Sequence, residues 1–223
     1  MRRKVAVYLI VLITIISFTS ALNAQNASDP AIKFMFEPGF GKSYFLVGQN
    51  LSPWGVHFRG NYNSGFFINM HGSFIFKDRS ILGLKCDMIG TAANYVIEEG
   101  QRVSDNVSII YFAPQIGAIS AHSTRFSFSL QTGVGYAYYQ SIGLLEYEEY
   151  NINSHMLGLN IDLSFDYIIS NKGSIGCKFS VFTALSNELQ REIGGVKDNI
   201  KMDKTNQIFP ATNSVSIFLR RYF

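Results

Sequence analysis

The chain has 223 residues, 47% of them hydrophobic and 16% charged, a composition that excludes a disordered polypeptide. Its 19 basic and 16 acidic residues differ only through Arg2, Arg3 and Lys4, so residues 25–223 carry no net charge. A nucleic-acid-binding domain shows a basic excess or stripe, and none is present. The same three basic residues precede an apolar run, Val5–Phe18, and then the small residues Ser20, Ala21 and Ala24. This is the layout of a secretory signal peptide. Residues 1–24 are read as a cleaved signal, cut between Ala24 and Gln25, with a cut after Ala21 as the alternative. Residues 25–223 are read as one domain.

The clearest element is Arg125–Tyr139, RFSFSLQTGVGYAYY. Phe126, Phe128, Leu130, Val134, Tyr136 and Tyr138 share one parity, and small or polar residues fill the other. A period of two is the signature of a β-strand with two unlike faces. Other segments repeat the pattern. In chain order the predicted strands are 33–46, 62–76, 80–95, 106–120, 125–139, 153–169, 174–187 and 210–223. The first contains Pro38, which cannot donate to a ladder, so a bulge is expected near Pro38–Gly39. Pro114 interrupts the fourth in the same way. Long polar connections are expected at 47–61, 96–105, 141–152 and 188–209. Short turns are expected at Lys77–Arg79, Ala121–Ser123 and Asn171–Gly173.

Long and short connections therefore alternate, and both ends of the domain fall on the short-turn side. A transmembrane barrel has this layout, with an even strand number and longer external loops. Closure lets an all-strand wall satisfy its backbone hydrogen bonds in lipid. The expected fold is all-β: an eight-stranded antiparallel up-and-down transmembrane β-barrel. The charges sit on the face with small residues, whereas a soluble barrel binding an apolar ligand would carry them outside. The inward parity collects Glu37, Lys85, Asp87, Arg125, Asp162, Asp166, Lys178 and Arg220, four acids and four bases. An eight-stranded barrel holds side chains and little else, so these groups are expected to form a lumen polar network that plugs the interior. Aromatic girdles are expected at the outer rim (Tyr44, Phe45, Tyr62, Tyr95, Tyr136, Tyr138) and at the inner rim (Phe74, Phe76, Phe126, Tyr167, Phe223).

These features, together with Ala24-Gln25 and the closing Arg221-Tyr222-Phe223, make the chain similar to the small outer-membrane β-barrels of Gram-negative bacteria. These include OmpA-like and OmpX-like barrels and the PorT-type barrels of Bacteroidota. The resemblance implies location in the cell outer membrane and contact with its lipid and lipopolysaccharide. It also implies recognition of Phe223 as an assembly signal by the barrel-assembly machinery.

Signals for chemistry are sparse. His71 and Ser73 share the inward face of the second strand, as the base and nucleophile of some outer-membrane lipid deacylases do. A third group is needed to orient such a base, and no motif names one. Glu146–Tyr150 forms an acidic, aromatic loop, and Trp54 stands in the first loop; each is read as an interfacial or partner-contacting feature. Cys86 and Cys177 lie on lipid-facing parities of distant strands and are expected as free thiols. No metal or cofactor motif is found. The expected role is non-enzymatic: structural, adhesive or accessory, exerted through the loops on an unknown protein partner. A lipid-modifying enzyme and a soluble ligand-binding barrel stand as alternatives.

Overall fold

The computed structural model describes residues 32–46, 62, 64–96, 100–121, 125–186, 188–201 and 208–223. The expected signal, with Ala24 and Gln25, and Trp54 lie outside the described residues. The described residues form ten strands: β1 (Ile32–Phe45), β2 (Ser64–Phe76), β3 (Ser80–Val96), β4 (Arg102–Ala121), β5 (Phe126–Leu145), β6 (Glu148–Ser170), β7 (Gly173–Leu185), β8 (Glu188–Ile193), β9 (Val196–Lys201) and β10 (Ala211–Tyr222).

Eight of them close into an antiparallel ring. Each of β1 to β6 pairs with the next, β7 pairs with β10, and β10 pairs back with β1. Strands β8 and β9 are added to the outer part of β6 and do not enter the ring.

Period-two burial runs along every ring strand. In β6, Asp162, Ser164 and Asp166 are buried, whereas Leu157 and Phe165 are 69% and 63% exposed. The outward face is a band of large apolar side chains, among them Phe40, Phe66, Leu84, Phe112, Val134, Phe179 and Ile217. Near the short turns it ends in paired rings across adjacent strands: Phe34–Phe74 at 5.4 Å, Phe128–Phe165 at 5.0 Å and Phe126–Tyr167 at 5.4 Å. Such pairs contribute about 0.5–1.5 kcal/mol beyond their burial.

The ring interior has two zones. Toward the short turns it is polar and charged; toward the long connections it is apolar. Ile89, Val107, Ile109, Tyr139, Ile152, Met156 and Phe182 fill the second zone. Tyr111 and Phe182 rings meet there at 5.0 Å over Gly158, where an added Cβ would come within 2.8 Å of Tyr111. The sequence-based expectation of a uniformly small or polar inner face is corrected here. Phe45 and Tyr62, expected in the outer girdle, are also buried in this apolar zone. The side chain of Tyr95 lies outside the described residues.

Three expected irregularities resolve differently. The 141–152 segment is not a loop: β5 and β6 continue to a two-residue turn at Glu146–Tyr147, with Glu146 at a φ of 58°. The 188–209 segment contains the β8–β9 hairpin, closed by Gly194 and Gly195 at φ of 55° and 82°. Left-handed φ at both central positions matches the twist of the flanking strands. No bulge occurs at Pro38: the β1–β10 register is the same at Phe36–Arg221 and Gly39–Phe218. The ladder skips the two intervening residues, and Pro114 interrupts β4–β5 in the same manner between Phe112–Tyr136 and Gln115–Gly133. A missing donor thus costs a local gap and no change of register.

Candidate functional site

The polar zone is built from side chains of all eight ring strands. Glu37 lies at its centre, fully buried. Its Oε2 accepts from Arg220 Nε at 2.8 Å and Nη2 at 2.6 Å, and its Oε1 faces the Lys178 ammonium in a second ion pair. Arg220 Nη1 donates to Asp166 Oδ1 at 2.9 Å. Asp166 is also held by Ser127 Oγ and Ser174 Oγ, each at 2.7 Å. The Phe218 ring lies 4.9 Å from the Arg220 guanidinium and 5.7 Å from Lys178 Nζ. A flat cation over an aromatic face is favourable, more so when desolvated.

A second group lies one step toward the apolar zone. Lys85 Nζ donates to both oxygens of Asp162, at 2.7 and 2.6 Å, and contacts Asp87 Oδ2 at 2.8 Å. Beyond it, Asn160 Oδ1 accepts from Tyr111 OH at 2.9 Å and Gln115 Nε2 at 2.8 Å. Tyr111 and Gln115 were not expected in the network; the inner parity of β4 was obscured by Pro114. Near the long connections, Asp105 is buried and accepts from Tyr62 OH and from Ser141 Oγ at 2.7 Å.

The structure places Glu37, Lys85, Asp87, Asp162, Asp166, Lys178 and Arg220 inside the ring, each at most 3% exposed. Arg125 is different. It precedes β5 at the short-turn rim, its side chain is exposed, and its carbonyl accepts from Ile168 N at 2.8 Å. A strand start at the ring edge leaves its first side chain in solvent whatever its parity.

His71 and Ser73 are buried on the inner face of β2. Both ring nitrogens of His71 and the hydroxyl of Ser73 lack hydrogen-bond partners among the described residues, so no base–nucleophile link joins them. Cys86 is half-buried, Cys177 is exposed, and neither forms a disulfide. No group of three or more His, Cys, Asp or Glu side chains gathers as a metal site among the described residues. Phe223 stands outward at the β1–β10 seam, its amide donating to Phe34 O at 2.9 Å.

Outside the ring interior, two carboxylates are tuned by direct hydrogen bonds. Asp198 on β9 receives Arg191 Nε at 3.1 Å and Nη2 at 2.6 Å, which lowers its pKa. Asp78 in the β2–β3 turn receives Ser80 Oγ at 2.7 Å and Ser80 N at 3.1 Å, with the same direction of shift.

No protein-family model matches the chain, and no curated protein is similar to it in sequence. Solved structures are similar in fold. A major outer membrane protein from Thermus thermophilus superposes with a TM-score of 0.59 at 14% identity, covering 87% of this chain and 100% of that one. The outer membrane protein OprG from Pseudomonas aeruginosa gives 0.52 at 13% identity, covering 85% and 96%. The ring of eight antiparallel strands is therefore the fold of outer-membrane β-barrels.

Proposed function

We propose that this chain is an integral outer-membrane β-barrel protein with a plugged polar lumen and no catalytic activity. Its role is structural, adhesive or accessory, through the hairpins on the long-connection side. The observation that carries this reading is the inversion of the wall: large apolar side chains outside, paired charges inside. In water such an exterior far exceeds the apolar patches of a soluble monomer. In a bilayer it is the lipid contact, and the short turns face the periplasm. The alternative of a soluble barrel binding an apolar ligand requires the opposite arrangement. The deacylase alternative requires an oriented base, and His71 has no hydrogen-bonded orienting group among the described residues.

In this reading residues 1–24 export the chain and are removed, and Phe223 is read by the barrel-assembly machinery. Lipopolysaccharide and phospholipid surround the band, and an unidentified protein meets the outer hairpins. The finer likeness to OmpA-, OmpX- or PorT-type barrels rests on strand pattern. The test is fractionation followed by electrophoresis of the mature protein with and without boiling. Recovery in the outer-membrane fraction and a heat-dependent change of migration are expected. A freely soluble protein with no such change overturns the reading.

A further inference from the structure

Along β5 the outer face is apolar, then polar, then apolar again. From Phe126 to Tyr138 the strand runs about 40 Å along its axis. At a tilt of about 40° that is about 30 Å of height, the thickness of a hydrocarbon core. The next outward row is polar: Ser108, Gln140 and Asn153 stand in register on β4, β5 and β6. Beyond that row Ile142, Leu144 and Val96 are exposed. Lipid covers the band below them and does not reach this height. On β6 the residues in register with Ile142 and Leu144 are Asn151 and Glu149, so the apolar ridge does not continue around the wall.

On the other side of the ridge the same face is hollow. Asn106 and Ser104 of β4 are the register partners of Ile142 and Leu144, and Ala92 and Asn94 of β3 come next across the sheet. These short side chains leave two adjoining depressions, of about 430 and 400 Å³. Phe66 and Ile142 wall the first, Val96 and Leu144 the second. We infer that this face joins two copies of the chain about a two-fold axis along the membrane normal. An isologous contact needs a surface that complements itself. Ridge and trough lie side by side here, so the rotation seats each ridge in the trough of the other copy. The axis then passes beside β4, where the Asn106 side chains of the two copies meet. A carboxamide is both donor and acceptor, and so can pair with its own counterpart. At the outer end, Arg102 lies on the trough side and Glu146 on the ridge side. The same rotation brings each guanidinium to the carboxylate of the other copy, and this charge complementarity favours a second copy as the occupant. The assignment rests on the outer-membrane reading, which sets the direction of the axis and places the ridge above the lipid.

The test uses the full mature chain, in isolated outer membranes and in mild-detergent micelles. In membranes, Ser104→Cys on a Cys86→Ser, Cys177→Ser background is expected to give a disulfide-linked dimer under mild oxidation. Asn199→Cys on β9, far from the axis, is expected to give none. Adding Leu144→Lys to the Ser104→Cys chain is expected to abolish the cross-link. In micelles, sedimentation equilibrium is expected to show a dimer that Leu144→Lys weakens by about tenfold or more. Leu144 is exposed, so its variant is expected to keep heat-dependent migration. Arg102→Glu is expected to weaken the dimer, and Arg102→Glu with Glu146→Arg to restore it. Failure of the Ser104→Cys chain to cross-link, or a dimer that Leu144→Lys leaves unchanged, overturns the face while heat-dependent migration leaves the barrel reading standing. A different protein cross-linked at position 104 overturns the second copy as occupant. Absence of heat-dependent migration in the wild type overturns the barrel reading, and the dimer face falls with it.

Discussion

Arg220 and Glu37 are 183 residues apart in the chain and meet through two hydrogen bonds, Nε and Nη2 on a single carboxylate oxygen. They belong to β10 and β1, the strands whose pairing closes the ring, and they stand opposite each other where the ladder has its gap at Pro38. The side-chain pair thus bridges the seam where backbone pairing is interrupted. It is also the junction of a larger cluster, because Glu37 holds Lys178 and Arg220 holds Asp166.

Removal of Glu37 leaves two buried cations without their shared anion. Breaking a buried pair from one side costs about 3–5 kcal/mol, mostly from the charge left behind. Glu37→Ala is expected to lower the urea midpoint of the folded, heat-modifiable form by a corresponding amount. Glu37→Leu combined with Arg220→Leu, Lys178→Met and Asp166→Asn removes the paired anions and cations together and is expected to recover much of the loss. A Glu37→Ala protein as stable as the wild type would show that the network does not hold the seam.

The two interior zones give a second expectation. The charged zone is cross-linked by ion pairs, and the apolar zone above it is filled by Tyr139, Met156, Ile152 and Phe182. Planar-bilayer recordings of the wild type are expected to lack a large, steady conductance. Phe182→Ala should destabilise the fold by about 3–5 kcal/mol, the usual cost of truncating a buried phenylalanine. A stable open pore in the wild type would contradict the plugged lumen.

Much of the ring was legible in sequence because membrane strands alternate along their length. Strand β6 reads cleanly from Leu157 to Ile169, and the structure keeps that parity while extending the strand outward to Glu148. The extension was hidden because composition, not periodicity, marks Glu146–Tyr150 as loop. The β8–β9 hairpin was hidden for a related reason: ELQREI and VKDNIK are too polar to read as strands, although the Gly194-Gly195 pair between them was the available signal. The apolar zone was missed because Val107, Ile109 and Tyr139 share the inward parity with polar residues further down their strands. Parity assigns a face but says nothing about depth. Arg125 was misplaced for that reason too, since only the strand's starting height puts its side chain at the rim.

His71 provides a direct test against catalysis. It is buried beside the charged network and hydrogen-bonded to nothing among the described residues. His71→Ala is expected to leave the acyl content of lipid A unchanged when the protein is expressed in an outer membrane. A change in acyl content that depends on His71 and Ser73 would restore the deacylase alternative.

Asp78 links pH to order in the β2–β3 turn. Hydrogen bonds from the Ser80 hydroxyl and amide hold its carboxyl below the ordinary value of 3.8. A depressed pKa in the folded state contributes stability above the unfolded pKa and loses it as pH falls through the folded one. Protection of the Ser80 amide, corrected for intrinsic exchange, is therefore expected to be constant at neutral pH and to fall below about pH 4. Asp78→Asn should flatten that profile. An unaltered profile in the variant would show that the carboxylate does not set the turn.

Cys86 and Cys177 probe the wall itself, because both point outward, on β3 and β7, and neither is in a disulfide. If the apolar band contacts lipid, a thiol there is out of reach of a charged reagent dissolved in water. In phospholipid vesicles a charged, membrane-impermeant maleimide is expected to label neither thiol, whereas denaturation in SDS should yield labelling of both. Migration should be the same with and without reductant. Rapid double labelling of the folded protein in vesicles would place both strands in water and contradict the lipid-facing assignment of β3 and β7.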